Sequence, residues 1–592
     1  MCGIAGWFGG DAGLDAVALQ KALHHRGPDG SGLWEGDKVT LVHTRLAILD
    51  LTEAGKQPME YRSPDSPSRR GVLVFNGEIY NFRELRAELE SQGESFRGES
   101  DTEVLLRLLV REGVACLPKL AGMFAFAFWD ESNGVALLAR DPLGIKPLYY
   151  REEKGTLAFA SGMRVLGKAG DTRDAGALRD FFLWGSVPEP ATLNQRVRQL
   201  PAGHCLMWKD GKATVLPWGA PGGQSVYGGN PAYTKEVAAS VTRVAMIESL
   251  ERHLVSDVPV GIFLSGGIDS TAILALTREV LGPKADIRTF SIGFEEAAFD
   301  ESAPARRTAE CFGACHTEWK MTTEDGAAEI PAFLEAMDQP TNDGFNTWCV
   351  SKLARREGVK VVLSGLGGDE IFAGYPSFGR VPQFRTWHER LGPLRSLAAL
   401  VLKAWPAGTP HQRLAAFLRG GGSWLEAYHA QRGFFTPEEA ALLATAFCSG
   451  PPGPLVWDRK GWPTDPRDVV SELEVTGFMR NQLLRDSDVF SMAHGLELRV
   501  PLVDQRFLEV IRQIPAGIRL RQGKQLLLEA VPEVPDWVRN QVKRGFRFPF
   551  QQWMEGGFGE FLQEARRRSP VPLNTWYRTW VVAAALRVLE NR

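Results

Sequence analysis

The run Met1-Cys2-Gly3-Ile4-Ala5-Gly6-Trp7-Phe8-Gly9 opens the chain. Removal of the initiator Met1 leaves Cys2 carrying both a thiol and a free α-amine. The amine titrates near ~8 and the thiol near ~8.5, so close to neutral pH the amine can act as a base for the thiol. One residue then supplies nucleophile and base together. Chain termini usually fray. Gly3 to Gly9, however, is an apolar, glycine-punctuated run that reads as a buried strand, and it predicts that Cys2 is held in place.

Outward from this strand, the sequence to about Pro217 holds short apolar runs such as Val39 to His43, Val72 to Asn76, Met123 to Asp130 and Val135 to Ala139. Close-set turn residues separate them, and helical patterns at Phe82 to Gln92 and Thr102 to Glu112 interrupt them, which implies layered strands and helices. A Gly/Pro-rich break from Pro217 to Pro231 then marks a linker. Beyond it, β-rich runs at Val260 to Leu264, Thr289 to Phe294 and Val359 to Ser364 alternate with long helical segments, the pattern of a parallel sheet. After about Pro376 the chain reads as mostly helical. These shifts divide it into residues 1–217, a linker at 218–235, and residues 236–592.

A chain of 592 residues, 44% hydrophobic, is too long for one core and is expected to form at least two domains. Its net charge of −3 gives no long-range attraction to nucleic acid or anionic lipid. No stretch approaches ~18 uninterrupted apolar residues and no leader pattern opens the chain, so a cytoplasmic, non-membrane protein is expected. Seven scattered cysteines make no disulfide framework. Cys311-Phe312-Gly313-Ala314-Cys315-His316 lacks a second Cys/His pair at finger spacing and reads as a helix end.

A cysteine attacking an amide needs donors for the developing oxyanion. In Asn76-Gly77-Glu78 the amide side chain and the glycine N–H, placed where a strand runs out, can supply two, although Asn-Gly alone reads equally as a turn. Arg45 and Asp101 are charges suited to an α-carboxylate and an α-ammonium. Arg45 also fits a surface ion pair, and Asp101 fits the N-cap of the helix that follows it.

Six segments occur together in order: Met1 to Ile4, His25-Arg26-Gly27-Pro28-Asp29, Arg45-Leu46, Asn76 to Asn81, Ser100-Asp101-Thr102-Glu103 and Gly122 to Phe126, followed by Arg140 to Tyr149. In this set the chain resembles the glutaminase domain of class II glutamine amidotransferases. The resemblance implies an α+β N-terminal-nucleophile sandwich of antiparallel sheets between helices, with Cys2 exposed by processing. It assigns glutamine binding to Arg45, Ile48, Asn76, Gly77, Glu78 and Asp101, and the oxyanion to Asn76 and Gly77.

The second region carries Leu264-Ser265-Gly266-Gly267-Ile268-Asp269-Ser270 between a β-run and a helical pattern. A glycine loop there presents backbone N–H groups at a helix N-terminus, which suits phosphate, and it is not the Walker pattern. Leu363 to Glu370 forms another strand-then-loop that brings Asp369. With Met492 to Asp504, Gly523-Lys524 and Lys543-Arg544-Gly545-Phe546, this half is similar to the synthetase domain of glutamine-dependent asparagine synthetases, an α/β parallel-sheet ATP-pyrophosphatase domain with a largely helical C-terminal part. The resemblance implies ATP and pyrophosphate contacts at Leu264, Ser265, Gly266, Gly267, Asp269, Ser270, Ile292, Ser364, Gly365 and Lys524, and Mg²⁺ at Asp269 and Asp369. A homodimer also fits it.

One position departs from that family. Many asparagine synthetases carry an acid in the Ser-Gly-acid-Gly segment, where this chain has Leu366. The resemblance implies conversion of aspartate to asparagine with glutamine and ATP, passing through an acyl-adenylate. Leu366 keeps a different small-molecule or sugar carboxylate open as the acceptor, or leaves compensation to Asp369 or Glu370. A lactam-forming synthetase needs no glutaminase, and a silent glutamine sensor would lose its nucleotide loops, so both fit the sequence less well.

Overall fold

The computed structural model describes residues 2–63, 69–219, 233–295, 302–406, 409–448, 450, 453, 461–541 and 559–590. Most of the Gly/Pro-rich linker and all of Lys543-Arg544-Gly545-Phe546 lie outside the described residues, as does Met1.

Strand Cys2–Phe8 is an interior strand of a six-stranded antiparallel sheet, between Val39–Arg45 and Thr156–Ala160. Its alternation is what layers the domain. Ile4 and Phe8 turn to one face, where they pack with Val72, Val74, Ala125 and Leu138 of a second six-stranded antiparallel sheet. Ala5 and Trp7 turn to the other face and pack with Leu19 and Leu23 of helix Ala16–Leu23. Helices Phe82–Ser91 and Asp101–Glu112 cover the outer face of the second sheet through Leu85, Leu89, Val104 and Leu108. The result is a helix–sheet–sheet–helix sandwich of the N-terminal-nucleophile kind.

The carboxyl-terminal half is built on a five-stranded parallel sheet in the order Cys315–Met321, Arg288–Phe294, Val260–Phe263, Val361–Leu363, Glu497–Arg499. Strand order reverses between Val260–Phe263 and Val361–Leu363, so the loops after these neighbours leave side by side. Ligands of open parallel sheets collect at such a point. The strand expected over Val359 to Ser364 is shorter, and within the largely helical tail the strand Glu497–Arg499 completes the sheet. Cys311 ends helix Ser302–Cys311, and the His316 ring bonds the hydroxyls of Thr289 and Ser291.

The two halves share cores. Leu46 and Ile48 pack on Val361 and Met492, and Met123, Leu143 and Ile145 join Val362, Leu363, Met479 and Leu498 in one cluster. Among the described residues no helix is long and apolar enough to cross a membrane.

Candidate active sites

Cys2 heads its strand with 7% of its surface exposed. The Asn76 side-chain oxygen accepts from the Cys2 N–H at 3.0 Å. That contact aims the amide, and Asn76 Nδ2 is buried with no partner, a donor free to meet an oxyanion beside the thiol. Gly77 has φ +150°, and a Cβ there would strike the Met123 carbonyl, so only glycine lets this strand pass so close. Burial pushes the Cys2 thiol up, opposed by the charge of Arg45.

Cys2, Arg45, Ile48, Gly77, Glu78 and Asp101 line one small cavity of about 30 Å³. Ser100, not Asp101, caps helix Asp101–Glu112, its hydroxyl accepting from the Thr102 N–H. Asp101 accepts from the Ile79 N–H at 2.9 Å, and burial raises its pKa to about 6. The Arg45 guanidinium is turned onto the carbonyls of Thr52 and Asp50.

Glu78 has a partner from the far half of the chain. Arg499 Nη2 lies 3.3 Å from its carboxylate, and Arg499 Nε lies 2.5 Å from Glu497, all three side chains being buried. Desolvation, then Glu497, push the Glu78 carboxyl well up, and Arg499 pulls it back. Arg499 also donates to the carbonyls of His253 and Val255 at 2.7 Å each, and its own carbonyl accepts from the Ser364 N–H at 2.9 Å. A single residue thus touches a glutaminase-site carboxylate and the second loop of the parallel sheet. Arg26 of the His25–Asp29 segment makes a similar bridge, bonding the Cys2 carbonyl at 3.3 Å and Asp488 at 2.8 Å. Sequence reading did not find Glu497, Arg499 or Asp488. The weak signal was charge in Leu496-Glu497-Leu498-Arg499, where two charges alternate with leucines that belong to a buried strand.

At the second site, Leu264, Ser265, Gly267, Asp269, Ser270, Ile292, Ser364, Gly365 and Asp369 line one cleft of about 340 Å³, with Leu366 and Glu370. Gly267, which lines the cleft, precedes helix Ile268–Leu281, and Ser265 Oγ lies 3.1 Å from Ser270 Oγ. Gly266 does not line the cleft. It has φ +71°, and a Cβ there would meet the Ala305 nitrogen at 2.9 Å, so its part is to turn the loop. A Cβ on Gly365 would lie 2.8 Å from the Ser270 nitrogen, so the two loops touch across the switch point.

Lys524 stands beside the cleft, its ammonium paired with Asp269 and, at 2.7 Å, with Asp369. The two carboxylates hold its pKa above the usual lysine range. Glu370 is buried and accepts from the Tyr375 hydroxyl at 2.9 Å. Burial, Asp369 and Glu474 raise its pKa to about 8, so at neutral pH it carries a proton that it can give or take.

A nucleophilic cysteine leading an interior strand of an antiparallel sandwich, with an orphaned amide donor beside it, and a glycine loop at the switch point of a second domain define a two-site glutamine amidotransferase. Residues 1–219 match the family model described as a glutamine amidotransferase domain, and residues 242–591 match that of asparagine synthase. The chain belongs to the asparagine synthase family. It is similar to asparagine synthetase [glutamine-hydrolyzing] 1 of Bacillus subtilis, 31% identical over 96% of this chain and 90% of that one. It is also similar to asparagine synthetase B of Escherichia coli, 33% identical over 68% of this chain and 69% of that one. Amidase chry2 of Gibberella zeae is 26% identical over 95% and 91%.

Proposed function

We propose that this protein transfers the amide nitrogen of glutamine to a carboxylate activated by ATP. With Met1 removed, the Cys2 thiol gives its proton to the terminal amine and attacks the side-chain amide of glutamine. Asn76 Nδ2 and the Gly77 N–H meet the oxyanion, the terminal amine hands its proton to the leaving nitrogen as the C–N bond breaks and ammonia departs, and water hydrolyses the thioester to glutamate. Glu78 and Asp101 hold the substrate's ammonium, and Arg45, on leaving its loop carbonyls, holds its carboxylate.

In the second site the acceptor carboxylate attacks the α-phosphorus of ATP. The bond to the β-phosphate oxygen breaks, giving an acyl-adenylate and pyrophosphate cradled by Ser265, Gly267 and Ser270 at the helix N-terminus. Lys524 neutralises charge on the leaving group. Ammonia then attacks the acyl carbon, AMP departs, and one proton is released as the amide forms. The apolar cluster of Met123, Leu143, Ile145, Leu363, Met479 and Leu498 between the sites supports a dry path that keeps ammonia from protonation.

Asp269 and Asp369 already converge on a single cation, the Lys524 ammonium, and their oxygens suit a hard divalent ion. The pair would hold Mg²⁺, which when bound would neutralise phosphate charge.

The observation that carries this reading is the gathering of Cys2, Gly77, Glu78 and Asp101 on one cavity, joined through Arg499 to the Ser364 loop. Aspartate is the acceptor suggested by the relatives' names. Leu366, at a cleft position where an acid is expected, favours a different small-molecule carboxylate. Pyrophosphate release measured with ATP, glutamine or ammonia and a panel of carboxylic acids tests the assignment. Cys2→Ala should abolish glutamine-dependent release and leave the ammonia-dependent reaction. Equal loss of both refutes the division of labour.

A further inference from the structure

The nucleotide cleft does not end at its loops. A second cavity of about 180 Å³ adjoins it, and Asp343 lines both. Its walls come from distant parts of the chain. Trp184 ends helix Ala175–Trp184 of the first half, Tyr428 lies on helix Trp424–Arg432, and Phe434 follows that helix. Phe478 belongs to Glu474–Leu484, a π-helical stretch within an otherwise α-helical run from Pro466 to Met492, a distortion that recurs at functional sites. Gly185, φ +79°, brings the Trp184 segment in, since a Cβ there would sit 2.5 Å from Asn342 Oδ1 and 2.6 Å from the Phe434 ring.

The charges of this chamber are one-sided. Asp343 accepts a hydrogen bond from the Gly344 N–H, and no cation of the described residues pairs with it; burial raises its pKa. The neighbouring acid, Asp486, is already satisfied by Arg485 at 3.1 Å and the Thr341 hydroxyl at 2.5 Å. Asn342 Oδ1, beside Asp343, is a buried acceptor with no donor. Among the described lining residues of the two cavities the only cationic side chain is Arg432, and it is spent. Its guanidinium pairs with buried Glu474 at 2.7 Å and lies 4.2 Å from the Tyr375 and Phe478 ring centres.

A ligand matching these walls presents a donor-rich cation to Asp343 and Asn342 and a ring or planar body to the aromatic side chains. Among the described lining residues no uncommitted cation would receive a second carboxylate. Aspartate fits these described walls less well, since its α-carboxylate remains once its side chain is activated. Leu366, on the adjoining cleft wall, adds hydrocarbon where an acid is expected.

We propose that this chamber is the acceptor subsite, and that the acceptor is a monocarboxylic acid larger than aspartate that carries a protonated amine and a ring or planar body. The inference rests on the amidotransferase reading above.

The test uses the full-length enzyme with ATP, Mg²⁺ and ammonia, reading pyrophosphate release with aspartate, glutamate, phenylalanine, 3-amino-3-phenylpropanoate and 4-(aminomethyl)benzoate, each ring acid beside its amine-free analogue. A ring-bearing amino acid is expected to exceed aspartate at least tenfold in kcat/KM, and its amine-free analogue to lose at least tenfold. Asp343→Asn should raise the KM of the preferred acid at least tenfold and abolish the discrimination against the amine-free analogue, with KM for ATP unchanged. Glutamine hydrolysis at the distant Cys2 site reports that the variant is folded; if it is not, Trp184→Leu, expected to weaken ring acids and not aspartate, makes the same distinction. Preference for aspartate, or indifference of the acceptor KM to both variants, overturns the chamber assignment and leaves the amidotransferase standing. Absence of pyrophosphate release with every acid, aspartate included, overturns both.

Discussion

Arg499→Met removes the guanidinium that pairs with Glu78, and its consequence can be worked from the geometry. At 3.3 Å, and with an effective dielectric constant of about 20, the Arg499–Glu78 attraction is about 5 kcal/mol. Desolvation already pushes the Glu78 carboxyl well up, so it depends on Arg499 to ionise. Gripping the ammonium of glutamine requires the ionised form. Activity therefore rises with pH through the Glu78 pKa, and losing Arg499 moves that rise to higher pH. If about half the coupling is expressed, kcat/KM for glutamine hydrolysis at pH 7 falls by nearly two orders of magnitude, at ~1.4 kcal/mol per tenfold. The loss should sit mainly in KM. The Ser364 contact is made by the Arg499 backbone and survives, so ammonia-dependent pyrophosphate release should change by less than about threefold. Arg499→Lys keeps the charge and loses the fork that serves two carboxylates and two carbonyls, and should fall between. Steady-state kinetics of both half-reactions from pH 5.5 to 9 provide the measurement. An unchanged glutamine KM and an unshifted pH profile in Arg499→Met would refute the reasoning.

Asp101, with its pKa raised to about 6, should make the glutamine KM fall as pH rises through about 6, and Asp101→Asn should remove that limb and raise KM at least tenfold at pH 7.5, read by glutamate production. Gly77→Ala places a methyl against the Met123 carbonyl at a φ that side chains avoid. It should cost about 2 kcal/mol or more and at least a hundredfold in glutamine hydrolysis, with ammonia-dependent activity retained. Lys524→Met removes an ammonium that pairs with both Asp269 and Asp369. Pyrophosphate release should fall at least a hundredfold with either nitrogen source, while glutaminase activity without acceptor persists.

Local patterns made much of this protein legible. The glycine-punctuated run after Cys2 announced a buried strand, and Ser265 to Ser270 announced a glycine loop before a helix, because each works through its own backbone and immediate neighbours; Asn76-Gly77, expected where a strand runs out, instead lies inside strand Arg70–Ile79, paired with Ala125 and Phe124. Asp101 was ambiguous, since an acid at a helix start satisfies both a cap and a ligand role. Only the structure shows Ser100 taking the cap and leaving Asp101 in the cavity. Gly266 and Lys524 share the loop neighbourhood but not the cleft wall, one spent on a turn and the other drawn onto two carboxylates.

The sequence by itself determined that Cys2 leads a buried strand, that two unlike architectures follow one another, and that the second ends strands in glycine loops. These follow from period, turn chemistry and residue type within a few positions. Tertiary structure alone decided that Glu497 and Arg499 lie against Glu78, that Arg26 reaches Asp488, and that Trp184, Asp343 and Phe478 enclose a common chamber. Such contacts join residues hundreds of positions apart, and their energy comes from burying charges and aromatic faces together. No local pattern encodes that, because it exists only once both halves have packed.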